Sequence, residues 1–413
     1  MLDIANIQQC ARLHKPRLAA DYIYRYNINK CYVFDTETSL LKDGQNIYVD
    51  TPEFVLGVGS IPNSPLKYFI NTNKTLMESE LKSAISSGYI LVGHNIAFDL
   101  NASGIEFLYD KVMIWDTALF EYVVSGQAST FPSLEYTHKK WNKGAGNITS
   151  GKIQSVSEAI KTGVEPKDIP HEDLVEYCTQ DVNMTKEIFI SQFEVFIKFE
   201  RPYQEMIINQ MNWLKNIYNM SKTGLKLDIN SVKNSITDMT IDEIKLTANC
   251  NYQLENWIMD DAPKGWKPDA DINCMSNKQL ETVLFGGEIK GYVLEEAGKY
   301  KIGSRAGQPK YKKVPCFRLF SKINWGPTVK EGSVDSTNIK AMLDTSPSTT
   351  TINFLNNILE LRDVSKTKGT YFEGYLKYTD TNGFIHSEMK HVGTPTGRLS
   401  STKPNIQNLK GDE

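Results

Sequence analysis

The chain has 413 residues, 40 % of them hydrophobic and 23 % charged, with a formal net charge of −3. That balance excludes a disordered polymer and a uniformly basic nucleic-acid coat, and the length allows two or three domains with separate cores. No apolar run reaches the roughly 18 residues of a membrane span. The early acid Asp3 argues against a secretory leader. The six cysteines, Cys10, Cys31, Cys178, Cys250, Cys274 and Cys316, have no paired spacing. They are expected to be free thiols in a reducing cytoplasm.

In chain order, residues 1–30 have a helical look, with Tyr22, Tyr24 and Tyr26 in a polar frame, and stand as an N-terminal extension. Cys31-Tyr32-Val33-Phe34 is a β-prone apolar run ending in Asp35, which predicts a buried strand. Tyr89–Gly93 predicts a second. Helical patterns alternate with these runs, so residues 31–200 read as an α/β domain. Pro170, Glu172 and Asp173 mark the start of a long helix reaching about Lys198. Pro202 breaks the chain, and a helix over Glu205–Tyr218 is expected to end near Gly224. Residues 225–345 are mixed and polar. Within them Lys290–Lys313 is dense in Lys, Arg, Gly and Tyr and predicts an exposed loop or hairpin. A further helix is expected over Thr351–Leu376, followed by short strands and turns.

Three acidic motifs carry the chemistry. In Phe34-Asp35-Thr36-Glu37 two carboxylates are expected at the C-terminal end of a strand, and the alternation of an extended chain points both to one side. Such a pair suits a hard divalent cation. In His94-Asn95-Ile96-Ala97-Phe98-Asp99, Asn95 suits a helix N-cap and Asp99 follows four residues on. In Tyr177-Cys178-Thr179-Gln180-Asp181 the phenol and carboxylate are again four apart on a helix. Each motif alone is commonplace, and their joint occurrence on suitable elements is what signifies. Two metal ions about 3.5–4 Å apart can drive in-line phosphodiester hydrolysis, and four acids can hold both.

Together, Asp35-x-Glu37, Asn95-x-x-x-Asp99 and Tyr177-x-x-x-Asp181 resemble the three motifs of the DEDD exonuclease superfamily in its tyrosine branch. The resemblance implies a ribonuclease-H-like fold over 31–200 and 3′-to-5′ removal of nucleotides with two divalent ions, Mg²⁺ or Mn²⁺. It assigns Asp35, Glu37, Asp99 and Asp181 as metal ligands and Tyr177 as the residue orienting the attacking water. Thr36, Asn95, Phe98 and either Leu40 or Leu41 would contact the 3′-terminal nucleotide.

Downstream, Thr396-Gly-Arg398-Leu-Ser-Ser-x-x-Pro404-Asn405-Ile-Gln407-Asn408 resembles a signature of family A DNA polymerases, the bacterial polymerase I and phage replicase group. Arg362-x-x-x-Lys366-x-x-x-Thr370-Tyr371 and the segment Asn273–Gly286 resemble that family's thumb, and Gly224–Asp228 the entry to its palm. The resemblance implies that residues 201–413 form a mainly helical thumb and a partial palm, with 290–313 at the thumb tip. Lys366, Thr370, Arg398, Asn405, Gln407 and Asn408 would then grip primer–template DNA. No His-Asp-Glu triplet and no Asp-x-Ser-x-x-Glu pattern of the polymerising site occurs in the sequence. The expectation is therefore a proofreading subunit of a split polymerase, phage-type and at work in the host cytoplasm, with a second polypeptide supplying the remaining palm and fingers. The alternatives are a free-standing nuclease of the same superfamily and a catalytically silent DNA-clamping scaffold.

Overall fold

A computed structural model gives the fold, and the residues described are 26–407 without 43–44, 46, 48–49, 51, 62–63, 71–72, 106–111, 143–150, 256–264, 270–271 and 347. Most of the expected N-terminal extension, residues 1–25, and Asn408 therefore lie outside the described residues. The chain divides into two compact units, one of residues 1–227 with 377–413 and one of residues 228–376. Among the described residues no helix is long and apolar enough to cross a membrane. Cys31, Cys178, Cys250, Cys274 and Cys316 are free thiols.

The first unit is built on a five-stranded sheet. Its strands are β1 (Cys31–Thr38), β2 (Phe54–Ser60), β3 (Lys67–Ile70), β4 (Ile90–Gly93) and β5 (Met113–Asp116), in the order β3-β2-β1-β4-β5. β2 runs antiparallel to β1 and β3, while β4 is parallel to β1 and β5. β1 is central, and Cys31, Tyr32, Val33 and Phe34 are all buried, as an apolar run of this length demands. The strand does not stop at Asp35. Its ladder with β2 continues through Asp35↔Val58 and Glu37↔Leu56, so both carboxylates stand in the C-terminal half of the strand, as expected, and are themselves paired in the sheet.

Around the sheet lie α1 (Lys74–Ser86), α2 (Ala97–Ala102), α3 (Thr117–Val124), α4 (Leu134–Trp141), α5 (Gly151–Lys161), α6 (His171–Phe196) and α7 (Arg201–Thr223). α6 follows Pro170, carries Glu172 and Asp173 in its first turn, and packs across β1, β2 and β4. Its buried Phe189, Phe193 and Phe196 surround Trp115, which also stacks on Phe120 with ring centroids 5.0 Å apart. The Trp115 indole N–H donates to Gln192 Oε1 at 2.9 Å, so this buried ring has its polar atom satisfied. α7 is longer than expected and ends at Gly224, whose φ is 69°. A Cβ there would lie 2.7 Å from the Ile385 carbonyl oxygen, so both backbone hand and space require glycine. Beyond it β6 (Leu225–Lys226) pairs with a strand at Phe384–Ile385.

The second unit packs α8 (Ile229–Glu255), α9 (Asn277–Phe285), α10 (Ser336–Asp344) and α11 (Thr349–Lys366) around Leu280, Leu284, Ile339, Phe354, Leu355 and Ile358. The single helix expected over Thr351–Leu376 is interrupted. α11 passes into a π-helical stretch at Thr367–Glu373 and then a helical turn at Gly374–Lys377. Gly369 and Gly374 lower the cost of leaving the α-helical path there. A short β7 (Lys267–Pro268) joins a long hairpin of β8 (Gly287–Lys299) and β9 (Pro309–Phe320), where a loop or hairpin was expected. In the first unit, β10 (Phe384–Ile385), β11 (Glu388–Lys390) and β12 (Ser400–Thr402) close the described chain, with β11 and β12 antiparallel.

The aromatic cluster yields a stability prediction. Trp115→Ala removes a fully buried ring and leaves Gln192 without its donor, which is expected to cost about 3–5 kcal/mol in urea denaturation of the full chain. Trp213, 54 % exposed on α7, is the control, and its replacement by Ala should stay within about 0.5 kcal/mol.

Candidate active site

Asp35 and Glu37 occupy alternate positions of β1 and share one face, each half-buried. Thr36 between them is buried and ties β1 to α2. Its backbone N–H donates to Asp99 Oδ1 at 3.0 Å and its hydroxyl donates to the same oxygen at 2.7 Å. Asp99 itself is buried. From α6, one turn brings Tyr177, Cys178 and Asp181 to the same place. The Tyr177 phenol is a hydrogen-bond donor to the Asp181 carboxylate. The Cys178 Sγ lies 3.3 Å from Asp35 Oδ2. Donor atoms of Asp35, Glu37 and Cys178 all fall within 4.8 Å of one another.

Electrostatics show what this crowding costs. Burial is the largest influence on every one of the four acids and raises each. Glu37 is pushed up to about 8 by burial and then by the charges of Asp181 and Asp99. Asp99 reaches about 7 by burial, against the opposing pull of its bonds from Thr36. Asp181 reaches about 7 by burial and by Glu135. Asp35 rises well above the usual carboxylate range through burial and all three neighbouring acids. Carboxylates that repel one another in a low dielectric, with hard oxygen donors within a few ångströms, fit a divalent cation.

The turn before α2 is held differently from the sequence expectation. Asn95 does not cap the helix, for α2 begins at Ala97 and Ile96 at its N-cap position makes no side-chain cap bond. Asp116 does the work instead. Its two oxygens accept from Asn95 N and Ile96 N, each at 3.1 Å, and its Oδ1 also caps α3 through Ala118 N and Leu119 N. A carboxylate has enough lone pairs for all four donors, which an Asn side chain does not. Asn95 is left with φ at 62°, a conformation this residue type tolerates, and its side chain is exposed. His94 is pinned as well, its Nε2–H donating to the Pro132 carbonyl at 2.9 Å, while burial holds its pKa below the usual value.

The other expected residues distribute as follows. Leu41, Asn95 and Phe98 line a cleft of about 500 Å³ together with Phe131, Lys390 and Lys403. Leu40 is not in its wall, and the Leu40 backbone N–H donates to Glu165 at 3.0 Å. Arg398 is exposed on a loop anchored by the Tyr122 hydroxyl, which donates to the Thr394 carbonyl at 2.8 Å. Asn405 spends its Oδ1 locally, accepting from the Ser401 hydroxyl and Gln407 N at 3.1 Å, and Gln407 is exposed. Lys366 and Thr370 belong to the second unit, where both are exposed. Cys178, Asp116 and Glu165 carry no role in the sequence reading. Of these only Cys178 left a signal, being one helical turn from Asp181.

Comparison with known proteins ties the chain to polymerases. Residues 317–412 match the family model of DNA polymerase family A. The DNA polymerase I of Treponema pallidum (strain Nichols) is 48 % identical over 52 residues, 13 % of this chain and 5 % of that protein. The DNA polymerase I of Mycobacterium leprae (strain TN) is 26 % identical over 222 residues, 52 % of this chain and 23 % of that protein. Among solved structures, the POL domain of Pol1 from M. smegmatis, in complex with DNA primer-template and dNTP, superposes with a TM-score of 0.56 at 14 % identity, covering 97 % of this chain and 56 % of that one. The fold is therefore a mixed α/β one resembling a DNA polymerase POL domain, and the C-terminal segment carries family A DNA polymerase sequence. The chain spans about half of the solved relative and less than a quarter of these curated ones.

The raised acids set a pH dependence. Their folded pKa values lie above their ordinary ones of 3.8 and 4.5, so the folded chain holds protons that the unfolded chain has released. Their contribution is full below pH ~4 and is lost as pH rises through 7 to 8. In chelator, thermal melting should fall between about pH 5.5 and 8.5, and Mg²⁺ should restore it most at the upper end. Glu37→Gln/Asp99→Asn should flatten the profile, and an unchanged slope in that variant would reject the assignment.

Proposed function

We propose that residues 31–200 form a ribonuclease-H-like 3′-to-5′ exonuclease domain and that residues 201–413 are thumb and partial palm, so that the chain trims DNA 3′ ends while gripping primer–template. The single observation that carries the reading is the meeting of Asp35 and Glu37 from β1, Asp99 from α2 and Tyr177 and Asp181 from α6, in mutual repulsion that cations relieve. Asp35, Glu37, Asp99 and Asp181 would hold two divalent ions, Mg²⁺ or Mn²⁺. When bound, such ions supply Lewis acidity and charge neutralisation for phosphodiester hydrolysis.

The chain's own groups do the rest. Tyr177, with its phenol at Asp181, orients the attacking water without serving as the base. Leu41 and Phe98 give the cleft apolar walls against which a terminal base can stack, and Asn95 offers an amide at its edge. Thr36 fixes Asp99 by two hydrogen bonds and so holds α2 to β1. Arg398 and Gln407, both exposed, are free to meet phosphates and minor-groove acceptors with Asn405 beside them, and Lys366 and Thr370 serve the DNA backbone. Binding of primer–template is supported by the M. smegmatis relative, which was solved with it. Polymerisation in company with a second polypeptide belongs to the same proposal, on the strength of the family A segment.

A 5′-labelled primer with a mismatched 3′ end, incubated with Mg²⁺ and all four deoxynucleotides, tests it. Wild type should give a descending ladder without extension, and Asp35→Ala/Glu37→Ala should give none. Thr36→Val should raise the Mg²⁺ concentration needed for half-maximal trimming by about 10- to 100-fold, the usual cost of losing a partner that holds a ligand in place. An intact primer with wild type would reject the exonuclease, and extension by the chain alone would reject the need for a second polypeptide.

A further inference from the structure

The hairpin of β8 and β9 has two unlike faces. On one, Ile289, Gly291 and Val293 stand across from Arg318, Cys316 and Val314. The base of that face is covered, for Gly291 is buried and the Arg318 guanidinium, also buried, donates to the Leu254 carbonyl at 2.9 Å beneath Trp266. On the other, Lys290, Tyr292 and Leu294 stand across from Phe317, Pro315 and Lys313, with Tyr311 one step further out. That face is open: Leu294 is 47 % exposed, Phe317 53 % and Tyr311 55 %.

The open face is not a bare apolar strip. Lys313 Nζ lies 4.1 Å from the Tyr292 ring centroid and Lys290 stands across from Phe317, so cations neighbour two of the rings, while Glu296 stands across from Tyr311. Around the tip, Lys299, Lys301, Arg305 and Lys310 follow one another with no carboxylate between them, in a chain whose net charge is −3, while Lys312 further down is paired with Glu295 at 3.6 Å. Strands of 13 and 12 residues carry this charge about 40 Å from the base of the hairpin. Lysine and proline on a long edge strand also keep it from pairing with other sheets, and that accounts for Pro309, Pro315 and some of the charge. It does not account for the two exposed rings, Tyr311 and Phe317, on that face.

We infer that this face of the hairpin binds single-stranded nucleic acid, with bases stacking on Tyr311 and Phe317 and phosphates meeting the cations of the tip. Interleaved rings and cations take an unpaired strand without sequence preference. A duplex keeps its bases stacked on one another and would leave the rings idle. The inference is independent of the exonuclease reading, since the hairpin lies in the second unit and its binding needs no hydrolysis.

Fluorescence anisotropy of the full chain in chelator tests it, with labelled oligo(dT) and a blunt duplex as the two probes. Tyr311→Ala/Phe317→Ala should weaken oligo(dT) binding about 5- to 100-fold and leave duplex binding unchanged. Lys299→Ala/Lys301→Ala/Arg305→Ala/Lys310→Ala should reduce the salt slope for oligo(dT) by about 0.7 for each cation that contacts phosphate. All substitutions are at exposed positions, and equal melting temperatures establish that the variants fold. Unchanged oligo(dT) binding in both variants overturns the inference. So does a loss confined to the duplex, which makes the hairpin a duplex clamp, or a change only in self-association by light scattering, which makes the face a contact between copies.

Discussion

Four carboxylates held together in protein, each raised by burial and two of them, Asp35 and Glu37, also by the charge of the others, are the constraint on which the first unit turns. Left to itself such a cluster pushes its supports apart or takes up protons. The supports are correspondingly firm. β1 is hydrogen-bonded on both sides, by β2 and β4, and its apolar half is buried completely. α6 lies across the same strands and is held by the Trp115 aromatic cluster two to four turns beyond Asp181. A sheet and a helix fixed in this way can keep like charges close enough to share cations, which flexible loops cannot.

The short α2 needs more help, since six residues make little helix by themselves. Two carboxylates supply it with opposite functions. Asp116 gives up all its capacity to backbone N–H groups and so is spent on structure. Asp99 accepts twice through a single oxygen, Oδ1, which leaves Oδ2 for chemistry. Both acids are raised by burial, so a perturbed pKa alone does not distinguish them, and their different hydrogen bonding is what supports the role proposed for Asp99.

What was legible in the sequence was local. The strand at Cys31–Phe34, the helix from Pro170 and the shared side of Asp35 and Glu37 follow from periodicity and cap chemistry, and all are found. The hairpin at 290–313 was legible from composition. Features that need a partner distant in sequence were not. The extension of β1 past Asp35 depends on β2, some twenty residues on, and the service of Asp116 to the turn at Asn95 depends on β4 and β5 being neighbours. Cys178 became visible as a neighbour of Asp35 only once α6 was laid over β1. The π-helical break after Lys366 also escaped, because apolar spacing alone does not distinguish it from a continuing α-helix.

The proposed cation site is tested most directly by counting the ions it holds. Mn²⁺ titrated into the chelator-treated chain, with a deoxynucleoside monophosphate present and free Mn²⁺ read by electron paramagnetic resonance, should show about two tightly held ions per chain. Asp35→Ala/Glu37→Ala should hold neither. Binding that is absent in the wild type, or equal in the variant, would contradict the account.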